Sequence, residues 1–176
     1  MELFSDVYER IKRKNKILFV SESLCIAPLC ARISALPRRA VVMFAFECAK
    51  KPAEELKAHV GESDALQTID LCRAWAEGKV KMPLARRAIL NLHARAKSMD
   101  EADGARYRAI AQAYSAVHVK EHARGLMYYE LTAIVRENKN FEEKVLMRIE
   151  EYSAVLDRWA SCDLSDYSWA KFLQNR

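Results

Sequence analysis

Glycine and proline are scarce in this chain: its 176 residues contain four of each. Strand-rich folds turn often, and tight turns draw on residues that accept positive φ or preset a bend. So few of them confine the chain to long helices joined by a few short loops. Hydrophobic residues make up 51% and charged residues 30%, the balance of a globular domain rather than a disordered segment. A single all-α domain over residues 1–176 is therefore expected, a compact multi-helix bundle of about seven or eight helices.

Helical spacing recurs along the chain. Leu3, Phe4, Val7 and Ile11 share one face of a first helix that stops near Lys14 and Asn15. The stretch Ile17 to Ser34 opens on ILFV, which has strand character. No second strand is available to pair with it, so the whole stretch reads as helix. Pro37 suits a helix start and Pro52 a break, with a further segment from Ala53 to about Val60 that ends at Gly61. Asp64 and Gln67 have capping-box spacing, and Gly78 suits the position just past the helix end. Pro83 opens another helix, with Leu84, Ala88 and Leu92 as its core stripe. Residues 102–136 would extend about 50 Å as one helix, against a radius of gyration of about 16 Å for such a chain. A break is expected between His118 and Gly125. Asn140 and Glu143 offer a second capping box, followed by an apolar stripe of Phe141, Val145, Ile149, Tyr152, Leu156 and Trp159.

Composition also limits function. The five cysteines are odd in number and lack CxxC spacing, so they read as small buried hydrophobes in a reducing cytoplasm. A basic run, KRKNK, precedes an apolar one from Ile17 to Ala31, but Glu22 interrupts that stretch and it is too short to span a bilayer. No membrane partner is expected. Residues 1–51 hold ten Lys/Arg against five Asp/Glu, leaving nineteen of each in the remainder. The basic excess is thus assigned to the N-terminal third, where Arg10 to Lys16 are a candidate nucleic-acid contact or a solvated helix face.

The most chemical stretch is HVKEH. His118 and His122 are four apart and would share a helix face, a geometry able to hold a metal with His93, His59 or a distant carboxylate as third ligand. In the zincin motif Glu directly follows the first His. Here Val119 takes that place and Glu121 is displaced, which leaves structural histidines as the alternative. Tyr114, His118, Gly125, Tyr129 and Thr132 would project to one side of a continuous helix, as a small pocket or a packed seam. No glycine-rich phosphate loop and no nucleophile motif is present. No cofactor and no catalytic residues are expected. In the tail, Asp163, Asp166, Tyr167, Trp169 and Phe172 combine carboxylates with rings, which suits partner anchoring. Equally, Trp169 and Phe172 could fold back over the core.

Three stretches carry a family resemblance: LPRRAVVMFAFECAKKPAEEL from Leu36, ALQTIDLCRAWAEGKV from Ala65, and AYSAVHVKEHARGLMYYELTAI from Ala113. In this order and spacing, with Trp75, Gly78, His118, His122, Gly125 and Tyr129, residues 36–135 resemble bacterial immunity proteins of polymorphic toxin systems, the immunity protein five-like group. Helices over residues 1–35 and the C-terminal helix and tail over 139–176 fall outside the resemblance. It implies a cytoplasmic, non-enzymatic helical protein whose partner is a cognate toxin neutralised by direct binding. A helical small-ligand or metal-binding protein using His118 and His122 is the alternative.

Overall fold

Helices account for all the regular structure of the computed structural model, which describes residues 2–61 and 64–174. Among the described residues there are ten: α1 (Ser5–Lys12), α2 (Ala27–Ala35), α3 (Arg38–Cys48), α4 (Lys50–Val60), α5 (Asp64–Ala76), α6 (Met82–Arg95), α7 (Glu101–Ser115), α8 (His122–Glu137), α9 (Glu142–Ser161) and the single turn α10 (Lys171–Gln174). The last two residues of the tail, 175 and 176, lie outside them. The fold is a single-domain, all-α bundle. α7 and α8 form its central antiparallel hairpin; α7 also packs on α3, α4, α5 and α6, and α3 on α9. Alanines at 105, 109, 111 and 113 are buried along α7, and their small size lets neighbouring helices approach from several sides.

The N-terminal stretch departs from the expectation of continuous helix. Lys14 has φ 55° and ends α1, and residues 17–20 have no regular secondary structure, with Leu18 and Phe19 fully buried. A stretch outside any helix or sheet leaves its backbone polar groups without ladder partners. Side chains supply partners instead: Leu18 N–H donates to Thr132 Oγ1 (3.0 Å), Val20 N–H to Ser23 Oγ (3.1 Å), and Arg136 donates to the Asn15 carbonyl (2.8 Å).

The break expected at Pro52 falls three residues earlier, at Ala49. Pro52 occupies the first turn of α4, and the chain bends at Ala49. Proline has no N–H for the carbonyl four residues back, and its ring crowds that carbonyl. The carbonyl in question belongs to Cys48, and it is satisfied from across the core by Arg148 Nη2 at 2.9 Å. Arg148 in turn donates to Glu130 through Nε (2.7 Å) and Nη2 (3.1 Å), while Tyr152 OH donates to Glu130 Oε2 at 2.6 Å. Burial pushes the Glu130 pKa up, and the Arg148 charge and hydrogen bonds pull against that rise. This network ties α3, α8 and α9 together. The apolar stripe on α9 gave no hint of it.

Helix ends also differ in detail. α5 ends in a Schellman motif: Lys79 N–H donates to the Ala74 carbonyl (2.8 Å) and Gly78 N–H to that of Trp75 (3.0 Å), with Gly78 at φ 77° as expected. Asp64 is the first helical residue of α5, so it is not a cap preceding the helix. The Asn140–Glu143 box does not form either. Phe141 is the N-cap of α9, without a side-chain cap, and it packs edge-on against Phe4. α6 is rotated from the expected stripe: Ala85, Ile89 and Leu92 are buried, whereas Leu84 is 50% exposed. All five cysteines are free, and burial raises the thiols of Cys25 and Cys72 to about 12, so these two stay un-ionised.

Candidate binding groove

Trp75 sits three residues before the α5 cap glycine and is 5% exposed, as its spacing from Cys72 implied. One face of its indole stacks with the His118 ring (centroids 6.5 Å apart, 26° between planes), and Phe172 of α10 lies 6.1 Å from it. The two groups of residues singled out in the sequence, the HVKEH stretch and the aromatic tail, therefore meet at one side chain.

The break in residues 102–136 lies at 116–121, so His118 is in the turn between α7 and α8 and His122 is the first residue of α8. They do not share a helix face. Tyr114, His118, Gly125, Tyr129 and Thr132 do not form one seam either. Tyr114 is buried and donates to the Ala65 carbonyl at 2.9 Å, Thr132 serves Leu18, and Tyr129 is half-buried against the core. Glu121 is exposed at the α8 N-cap and forms no side-chain cap. Arg38 donates to the carbonyls of Val117 and His118 and lies over the Phe172 ring, which pins the turn.

On the other side of this turn, a groove of about 420 Å³ opens between the α5 end, α6 and the α7–α8 turn. Trp75, Met82, Ile89 and Leu90 form its apolar lining; Arg86, Ser115, His93, His118 and His122 are its polar groups. His122 Nδ1 shares a 2.6 Å hydrogen bond with Gln112 Oε1. A Cβ on Gly125 would lie 2.6 Å from that same oxygen, so glycine is needed there to leave the Gln112 amide its place. Burial lowers the pKa of His93, aided by Arg108 and His122, and burial together with His118 lowers that of His122. Both are neutral donors or acceptors at neutral pH.

A three-ligand metal site on His118 and His122 is not what the geometry brings together. Among the described residues, ligand atoms of His59, Asp103 and Glu137 come within 4.8 Å of one another. His59 Nδ1 contacts Asp103 Oδ1 at 2.9 Å. Arg106 already fills that cluster, donating through Nη1 to Asp103 (3.0 Å) and to Glu137 (2.6 Å), and through Nε to Glu55 (2.8 Å). A guanidinium bonded to the same carboxylates takes the position and the charge a cation would need.

The tail is docked. Trp169 is 8% exposed and donates to the Leu164 carbonyl at 2.9 Å; Leu173 is fully buried, and Ala170 N–H donates to the Ala76 carbonyl at 2.7 Å. Tyr167 and Phe172 remain 43% exposed, and Asp163 and Asp166 face solvent. The basic run of Arg10 to Lys16 lies at the end of α1 and the turn after it, where Arg13 pairs with Glu9.

A family model described as "Imm-5 like putative immunity protein" matches residues 31–155. The chain belongs to the Imm-5 like immunity protein family. The match includes every groove residue and reaches into α9, beyond the 36–135 expected from the resemblance; α1 and the tail lie outside it. No curated protein and no solved structure matches the chain. No helix among the described residues is long and apolar enough to cross a membrane.

A basic patch lies on and around α6. From Gly78 to Met99 there is no Asp or Glu, while Lys79, Lys81, Arg86, Arg87, Arg95 and Lys97 all fall within that stretch. Averaging over residues 52–176 hid this patch, which a window of about two helical turns would have found.

Proposed function

We propose that this Imm-5 like protein neutralises a bacterial toxin in the cytoplasm by direct protein–protein contact, made at the end of the bundle around Trp75. The observation that carries the reading is the convergence at that residue: Trp75 lines the groove, stacks with His118 and lies against the ring of the exposed Phe172. Stable interfaces concentrate their energy in a few aromatic and arginine anchors set in a packed patch. A surface held by stacked rings, a Schellman cap and a docked tail loses little freedom on binding, which favours affinity. In this reading Tyr167, Phe172, Asp163 and Asp166 supply the rim, and Trp169 supports them from beneath. Binding of this kind uses no cofactor and no catalytic residue of the immunity protein.

The experiment is to co-produce the chain with each toxin encoded beside its gene in a sensitive host. Restored growth together with a stoichiometric complex on size exclusion supports the reading. Restored growth without a complex, or no protection against any of those toxins, overturns it.

A further inference from the structure

We infer that the partner presents an acidic surface to this protein, and that one of its carboxylates, flanked by apolar side chains, seats in the groove against Arg86. The inference rests on the toxin-binding reading for the partner's being a protein; its chemistry is read from α6. Arg86 and Arg87 make no ion pair with any described residue, in contrast to Arg106 and Arg148. Both are exposed on a helix within a stretch that has no acidic residue to neutralise them.

Aliphatic side chains accompany these cations. Met82 (42% exposed), Leu84 (50%) and Leu90 (51%) stand open on α6. Met82, Arg86, Leu90 and His93 follow one another at helical spacing along the groove wall. A guanidinium at an apolar wall, with no internal partner, is suited to a two-pronged hydrogen bond with a carboxylate. The neighbouring Trp75, Met82 and Leu90 would take the apolar flank of the same segment. Arg86 is the one Lys or Arg among the described residues that line the groove.

Other polyanions fit this surface less well. Phosphate backbones are met by dense basic tracks, with aromatic stacking where strands are single, whereas α6 interleaves its arginines with Met and Leu. A helix that lies in an anionic bilayer turns its main apolar face to lipid, but the Ala85, Ile89 and Leu92 face of α6 is buried in the bundle. Methionine and arginine beside exposed leucines match the composition of a protein–protein patch.

The test needs no toxin. Three of the four histidines line the groove, and the fourth, His59, is held by Asp103 away from it, an internal reference for ring-nitrogen NMR. The probe is the acetylated peptide Glu-Phe-Glu-Leu-Glu, compared with its all-Gln counterpart. The Glu peptide is expected to shift the His93, His118 and His122 signals and leave His59 in place. The Gln peptide, and separately the double variant Arg86→Gln/Arg87→Gln, should weaken binding roughly tenfold or more, the size of one charge-assisted hydrogen bond. Those arginines are exposed and form no ion pair with any described residue, so the variant should fold; an unchanged His59 signal checks it. Absence of groove shifts at millimolar Glu peptide, equal binding of the Gln peptide, or unaltered binding by the double variant overturns the inference. So does a short DNA duplex or a phosphatidylserine vesicle that moves the groove signals at lower concentration than the Glu peptide. Failure here leaves toxin neutralisation standing, and failure of the growth experiment leaves this peptide result standing.

Discussion

Arg148→Met is the substitution whose cost the structure states most directly. Arg148 is 5% exposed and Glu130 2%, so the change strips a buried carboxylate of its counter-charge. Glu130 is left with the Tyr152 hydroxyl alone, and the Cys48 carbonyl, orphaned by Pro52, loses its donor. Breaking a buried ion pair from one side costs about 3–5 kcal/mol. The orphaned carbonyl alone accounts for about 1–3 kcal/mol, but the two losses overlap because Glu130 can take up a proton. We expect a net loss of about 3–5 kcal/mol in urea unfolding, or about 6–20 °C in Tm at about 2–4 °C per kcal/mol. Without Arg148, the Glu130 pKa in the folded state lies further above its unfolded value. The protonated form then stabilises the variant at low pH, and stability falls as pH rises through that raised pKa. The loss should therefore be smaller at about pH 5 than at about pH 8. Adding Glu130→Leu removes the stranded charge and should recover about 2 kcal/mol; it will not restore everything, since Tyr152 OH and the Cys48 carbonyl stay unpaired. A single-variant loss below about 1 kcal/mol that does not change with pH would refute the reasoning.

Trp75→Ala should cost about 3–5 kcal/mol in chemical denaturation, as for other large core truncations; a loss under about 1 kcal/mol would place the indole outside the core. Because His93 and His122 have folded pKa values below the ordinary 6.5, the stability they allow is complete above that value and declines as pH falls beneath it. Melting scans should show a lower Tm at about pH 5.5 than at about pH 7.5, and His93→Gln/His122→Gln should flatten the difference; an equal slope in the variant argues against it. Truncation after Cys162 removes buried Trp169 and Leu173, and burial of the leucine alone is worth about 1.5–3 kcal/mol. A truncated protein with unchanged Tm would show that the tail does not dock.

Much of the fold was legible because helices declare themselves locally. Scarce turn residues, recurring apolar spacing, Pro83 at a helix start and Gly78 at a helix end are all read over one or two turns, and there the chain follows them. The family too could be read from Trp75, Gly78, His118 and His122 in order. The site was less legible. Both site groups were visible as residues, but their meeting at Trp75 was not, since a break at 116–121 takes His118 and His122 off a common helix face. The acid-free run of α6 was visible in principle but was lost in an average over most of the chain.

The sequence by itself determined the helical class, most helix boundaries, the burial of Trp75 and the family, because each depends on short-range periodicity, backbone sterics or residue order. Tertiary structure alone decided which polar groups find partners. Leu18 N–H finds Thr132 across 114 residues of chain and the Cys48 carbonyl finds Arg148 across 100. Those pairings let residues 17–20 stay outside any helix and bring an arginine into the core. Arg86 and Arg87 stay exposed on α6, with no ion pair to any described residue. A hydrogen bond between residues so far apart leaves no period in the sequence, so it becomes readable only after the helices have packed.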